Sequence, residues 1–136
     1  MDTTHEYCAL SEALMNTVDA LVVILEPDGT VREFNQACEA VTGYRAEEIV
    51  GRSIVGTVIP PEQRADVAKV FAELSSPGTN RFENDWLTRD GRRRRITWSS
   101  VAMQDEHGNV DAILGTGIDI TDQLLLESRL AQADRL

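Results

Sequence analysis

The chain has 136 residues, room for one domain and little more. Its 42% hydrophobic content suffices for a packed core, and a formal net charge of −10 argues against a nucleic-acid partner, whose phosphates are held by basic side chains. The longest apolar run, Ala20 to Leu25, is strand-sized, and the acidic start MDTTHEYCALSEALMN lacks the basic-then-apolar order of a signal peptide, so no membrane contact is expected and the cytoplasm is the default location.

Residues 6–18 put Leu10, Leu14, Met15 and Val18 on one helical face, which predicts an N-terminal helix. In ALVVILEPDGTVREFN two apolar runs flank Pro27-Asp28-Gly29, where proline presets φ and glycine supplies the turn, the pattern of a β-hairpin. Asn35 can stop the second strand and cap QACEAVTG, which Gly43 ends. RAEEIVG predicts a further turn or two of helix, and RSIVGTVI a loop. Pro60-Pro61 then opens EQRADVAKVFAEL, whose Val67, Val70, Phe71 and Leu74 form an apolar stripe. Strands are predicted over 81–89, 94–104 and 110–118, with turns at Asp90-Gly91 and His107-Gly108-Asn109. Beyond Thr121 the composition shifts to Leu, Gln, Ala and Arg, and a helix follows. Two strands, several short helices and three more strands imply an α+β domain with a five-stranded antiparallel sheet.

Residues able to carry chemistry are sparse. Cys8 and Cys38 stand thirty apart without a C-x-x-C, so neither a disulfide nor a metal site is expected, and Cys38 reads as a small core residue. RDGRRRRI, from Arg89 to Ile96, is read as the solvated start of a strand, because consecutive strand residues alternate sides and cannot form one flat basic face. Asp105-Glu106-His107 diverge on a turn, and no nucleophile–base pair or phosphate loop stands out; no catalytic residue is predicted and the fragment is not expected to be an enzyme.

The segments DALVVILEPDGTVREFNQACEAVTGYRAEEIVGRS, LTRDGRRRRITWSS and DEHGNVDAILGTGIDITDQ, in this order and at these distances, resemble a PAS domain over about residues 16–123. The resemblance implies a PAS-like sheet with short helices on one face and a groove between them that often holds a small ligand. It divides the chain into an N-terminal cap helix (1–18), a core (19–119) and an output helix that begins a coiled-coil linker (120–136). Asp119-Ile120-Thr121 looks like the family's D-I-T junction, and LAQADRL is similar to the linker entering the dimerisation helices of sensor histidine kinases. The implied role is signal sensing and dimerisation in a signal-transduction protein, with a downstream kinase or other output domain. A conformational change would pass through Asp119 and Thr121 into the last helix. Physically, the Thr121 hydroxyl can cap that helix, Asp122 adds favourable negative charge to its first turn, and Asp119 can bond to the helix start or back to the sheet. The plainer reading is a strand end and a helix cap, nothing more.

Alignment with the PAS pattern puts Asn84, Trp86, Ile96, Trp98 and Ser100 on the groove side and Leu87, Val101, Met103, Leu114 and Ile118 on the opposite face. Apolar side chains on both faces imply that both are covered. Leu126, Leu130 and Ala133 add a four-then-three spacing, the start of a heptad seam. A homodimer is therefore expected, with Leu10, Leu14, Val101, Met103, Leu114, Ile118, Leu126 and Leu130 as interface candidates. A light-oxygen-voltage flavin site would need a cysteine in GRSIVGTVIPPEQ, which has none, and its flavin-reading amides are replaced by Trp86, Ile96 and Gly117. Residues 52–80 lack the histidine that would hold a haem. No cofactor is predicted. The alternative is a non-covalent flavin or other small planar ligand stacked on Trp86 and Trp98, neighbours on adjacent strands, and oriented by Asn84 and Ser100. If the two rings simply fill the groove, a ligand-free dimerisation spacer is the third reading.

Overall fold

A computed structural model describes residues 19–73 and 79–133. The helix expected over 1–18, with Leu10 and Leu14, lies outside the described residues, as does Leu74. Strands β1 (Leu21–Leu25) and β2 (Val31–Phe34) form the hairpin read from the sequence. Asn35 then caps α1 (Gln36–Thr42), its side-chain oxygen accepting from the Cys38 amide at 3.2 Å. The same oxygen accepts from the Val22 amide at 3.0 Å, so one buried side chain both starts the helix and fastens it to β1. Gly43 ends α1 with φ at 79°, the left-handed region in which a Cβ is penalised.

Two single-turn helices follow, α2 (Ala46–Ile49) and α3 (Ile54–Thr57). The second falls in the segment expected to be a loop. Ile54, Val55, Gly56 and Thr57 are poor helix formers, so nothing in their propensity announces it. The Ser53 hydroxyl, accepting from the Gly56 amide at 3.4 Å, and burial of Ile54 hold the turn instead. A 3₁₀ turn (Pro61–Gln63) leads into α4 (Arg64–Glu73).

The remaining strands are β3 (Thr79–Leu87), β4 (Arg93–Gln104) and β5 (Val110–Asp119), and α5 (Thr121–Ala133) leaves the sheet after a single intervening residue. The sheet has five strands in the order β2-β1-β5-β4-β3, every neighbouring pair antiparallel. The last strand in sequence is thus central in space. On one face Leu21, Val23, Leu25, Trp86, Ile96, Trp98 and Ile113 pack against Cys38, Ile49, Ile54, Val58, Ile59 and Val67 from the helices and their connections. Burying a side chain of this size contributes about 1.5–3 kcal/mol, so this single layer supplies the hydrophobic driving force.

Candidate functional site

Two places on β5 carry the features from which a function can be argued: the groove above its middle and the junction at its end. Asn84, Trp86, Ile96, Trp98 and Ser100 are all buried on the groove side, as alternation along the strands requires. Trp86 and Trp98 are neighbours on adjacent strands, as expected, without standing directly opposite each other. Trp98 stands opposite Phe82 on β3 and Gly117 on β5, whereas Trp86 stands opposite Arg94. The two indoles are therefore not cross-strand partners, yet their length along the sheet brings the ring centroids to 5.0 Å at an interplanar angle of 44°. Trp86 also stacks on Phe34, at 5.9 Å and 13°.

The space for Trp98 is made by glycine. A Cβ at Gly117 would lie 2.8 Å from Cε3 and Cζ3 of Trp98 and from Cγ2 of Ile96, and one at Gly115 would lie 3.1 Å from Cγ2 of Val23. The indole accordingly rests on bare backbone. Its Nε1–H donates to Asn84 Oδ1 at 2.8 Å, so a polar group that could orient a ligand is engaged by the ring instead. What is left of the groove is a cavity of about 30 Å³, lined by Val23, Phe71, Asn84, Trp86, Trp98 and Ser100 among others. That is space for a water or two. Cys38, at the α1 side of the core, is fully buried, and desolvation pushes its thiol up to about 12.

At the junction the polar groups converge. Asp119 Oδ1 accepts from the Thr121 amide at 2.9 Å and from the Thr121 hydroxyl at 2.6 Å. Its Oδ2 accepts from Arg94 Nε of β4 at 2.7 Å. The Thr121 hydroxyl in turn accepts from the Arg95 amide at 2.7 Å, and the Ile120 amide donates to the Arg95 carbonyl at 2.8 Å. The first helical bond runs from the Leu124 amide to the Ile120 carbonyl. Thr121 therefore does not cap α5 with its hydroxyl, contrary to the sequence reading. That hydroxyl faces the sheet, and Asp119 satisfies the first-turn amide in its place. Burial alone would raise the Asp119 carboxyl, but the Thr121 hydroxyl and the Arg94 guanidinium outweigh it and hold the carboxyl below the usual carboxylate range. The bond to Asp119 raises Arg94 in return.

Arg94 and Arg95 are the junction residues that sequence reasoning missed. The basic run is no free cationic patch: Arg92 pairs with Asp90, Arg93 with Glu62 and Asp85, Arg94 with Asp119 and Asp122, and Arg95 with Glu83 and Asp85. Alternation along β4 sends the arginines to different sides, and each meets a carboxylate there. Asp105 shapes its own turn by accepting from the His107 and Asn109 amides.

Of the expected interface residues, Val101, Met103, Ile118, Leu126 and Leu130 are exposed, Ile118 at 62% and the two helix leucines at 59%, and Leu114 is half-buried. No described residue of α5 is buried. Among the described residues no cluster of three or more His, Cys, Asp or Glu could hold a metal ion, and no helix is long and apolar enough to cross a membrane.

Comparison with known proteins agrees with this architecture. The chain is 23% identical over 124 residues to the cyclic di-GMP phosphodiesterase PdeR of Escherichia coli (strain K12), a match covering 90% of the chain and 19% of PdeR. The chain spans at most about a fifth of the length of the curated relatives it matches, 19% of one and 7% of another. The PAS domain of an HTR-like protein from Haloarcula marismortui superposes with a TM-score of 0.72 at 28% identity, over 86% of this chain and 94% of that one. A domain of the sensory box sensor histidine kinase/response regulator from Geobacter sulfurreducens gives 0.70 at 19% identity, over 87% and 98%. The sequence matches the PAS fold from residue 9 to residue 120, ahead of β1 to just past β5, and the chain therefore belongs to the PAS fold family of sensory domains.

Proposed function

We propose that this PAS domain passes a conformational change from its sheet through Asp119-Ile120-Thr121 into α5, and through that helix to a kinase or other output domain, in a homodimer. One observation carries the reading. Asp119 holds the start of α5 with one carboxylate oxygen and β4 with the other, so the exit angle of the helix is set by the sheet. A fixed angle becomes a signal when the sheet has two arrangements differing by about a few kcal/mol.

Dimerisation is supported by what α5 lacks. A helix of 13 residues is marginal on its own, and this one exposes Leu124, Leu125, Leu126 and Leu130. A second copy laid along the face that Leu126 and Leu130 share would bury those two. Light scattering after size exclusion should report a dimer that Leu126→Glu with Leu130→Glu weakens; a monomer from the start removes this part of the proposal.

The groove is read as working without a resident cofactor. Its residual space of about 30 Å³ falls well short of the roughly 300–1,000 Å³ of small-molecule sites. A planar ligand would have to displace Trp98 from the glycines beneath it. Purified protein should be colourless, and a flavin or Soret band in its absorbance spectrum overturns this reading.

The decisive experiment is Asp119→Ala in the full-length protein that carries an output domain. The loss of a cap of this kind costs about 0.5–2 kcal/mol, so the domain stays folded while output changes in at least one signalling state. Unchanged output in both states sinks the transmission reading.

A further inference from the structure

The junction has a second anchor on the far edge of the sheet. β3 is an edge strand, and the Asp85 amide on it points away from β4. That amide donates to Gln63 Oε1 at 2.8 Å, and Gln63 Nε2 donates back to Asp85 Oδ2 at 2.9 Å. Gln63 closes the 3₁₀ turn from which α4 springs, so its side-chain amide pairs with the edge of the sheet as another strand's peptide group would. Directly across from Asp85 in the ladder stands Arg95. Asp85 Oδ1 accepts from Arg95 Nη1 at 3.3 Å, and the Asp85 side chain is only 17% exposed. The backbone of Arg95 is the part of β4 that holds α5, its amide on the Thr121 hydroxyl and its carbonyl on the Ile120 amide.

These bonds lie in one transverse row, Gln63 to Asp85 to Arg95 to Thr121. We infer that Gln63 and Asp85 are positioning residues that couple the start of α4 to the start of α5 across β3 and β4. The row's input end is placed to feel the groove, because Val67 and Phe71 of α4 line the cavity one and two turns beyond Gln63. A shift of α4 pulls on Gln63, and the pull reaches Thr121 through four polar contacts without passing through the apolar core. Partly buried hydrogen bonds suit this task, since they break over a few tenths of an ångström where an apolar contact slides. The coupling stands on geometry alone; its use as a signal rests on the transmission reading above.

The test is amide hydrogen exchange in the isolated domain, read at Arg95 and Leu124 relative to Val23 on β1. Gln63→Met keeps the side-chain length and deletes both of its hydrogen bonds. Exchange at the two junction amides should quicken by about three- to tenfold while Val23 holds its rate, the size expected for the loss of one net hydrogen bond. Asp85→Asn keeps the shape and, with its one oxygen turned to Gln63, that tie, but sets an NH2 group against Arg95 and loses the other, so it should also quicken exchange at Arg95 and Leu124. Gln63→Met combined with Thr121→Val should quicken exchange by less than the product of the two single effects. Unchanged rates at Arg95 and Leu124 in Gln63→Met, or single effects that multiply, overturn the coupling. Coupled exchange with normal output in the full-length Gln63→Met protein leaves the row standing and overturns only its use as a signal.

Discussion

The groove and the junction share a strand, and they are held by opposite means. Over Gly115 and Gly117 the sheet is joined to its neighbours by shape: an indole seated on bare backbone, a second indole against it, and little empty space. At Asp119, two residues further on, shape counts for little and direction for much, with a carboxylate, a hydroxyl and two arginines in a fixed hydrogen-bond pattern. Close packing is tolerant of chemistry and intolerant of volume; a polar cluster is the reverse. Under the transmission proposed above, the first kind of bond keeps the interior folded and the second sets the direction of the exit helix.

That contrast can be broken first at Trp98. Trp98→Ala removes the ring from the glycines and strands Asn84 Oδ1, and should cost about 3–5 kcal/mol in urea unfolding. If the seat is as shape-specific as described, added indole should restore part of the loss. A cost under about 1 kcal/mol, within the range of a surface substitution or little beyond it, would show that the groove is not packed as described. Gly117→Ala sharpens the same point from the other side. Its methyl has no room beside Trp98 and Ile96, and overpacking of this kind should cost about 1–3 kcal/mol. In a Trp98→Leu background that penalty should shrink.

The junction should answer to pH where the groove does not. The folded carboxyl of Asp119 titrates below its unfolded value, so it contributes stability above the unfolded pKa of about 3.9, and that contribution is lost as pH falls through the folded pKa. In acid the Thr121 amide resonance should shift before the Trp98 indole resonance does. Simultaneous shifts would mean that the two regions melt as one. This is the smallest expected effect, because a single partly exposed carboxylate is involved.

How far the sequence could be read follows the same division. Likeness to the PAS pattern puts Asn84, Trp86, Ile96, Trp98 and Ser100 on one face, and all five are buried there, as a period of two along each strand requires. Trp86 and Trp98 were legible as neighbours on adjacent strands, and they are; that their rings meet diagonally, by reach, depends on a register that only the partner strand fixes. Pro27-Asp28-Gly29, Asn35 and Gly43 announced their turn and caps because those signals are local. The turn of α3 did not, as tertiary burial of Ile54 holds it against propensity. Asp119 and Thr121 were legible as a junction, but the direction of the Thr121 hydroxyl depends on Arg95, far away in sequence. Gln63 and Asp85 carry no local signal at all, for a glutamine next to a proline turn acquires meaning only once a strand edge arrives beside it.

The glycine seat beneath Trp98 has one more consequence. Side chains ordinarily cushion a strand, and a nudge from a neighbour is absorbed by a change of rotamer before the main chain feels it. At Gly115 and Gly117 that buffer is missing, so any tilt of the indole is delivered straight to the peptide planes of β5, just ahead of the turn into α5.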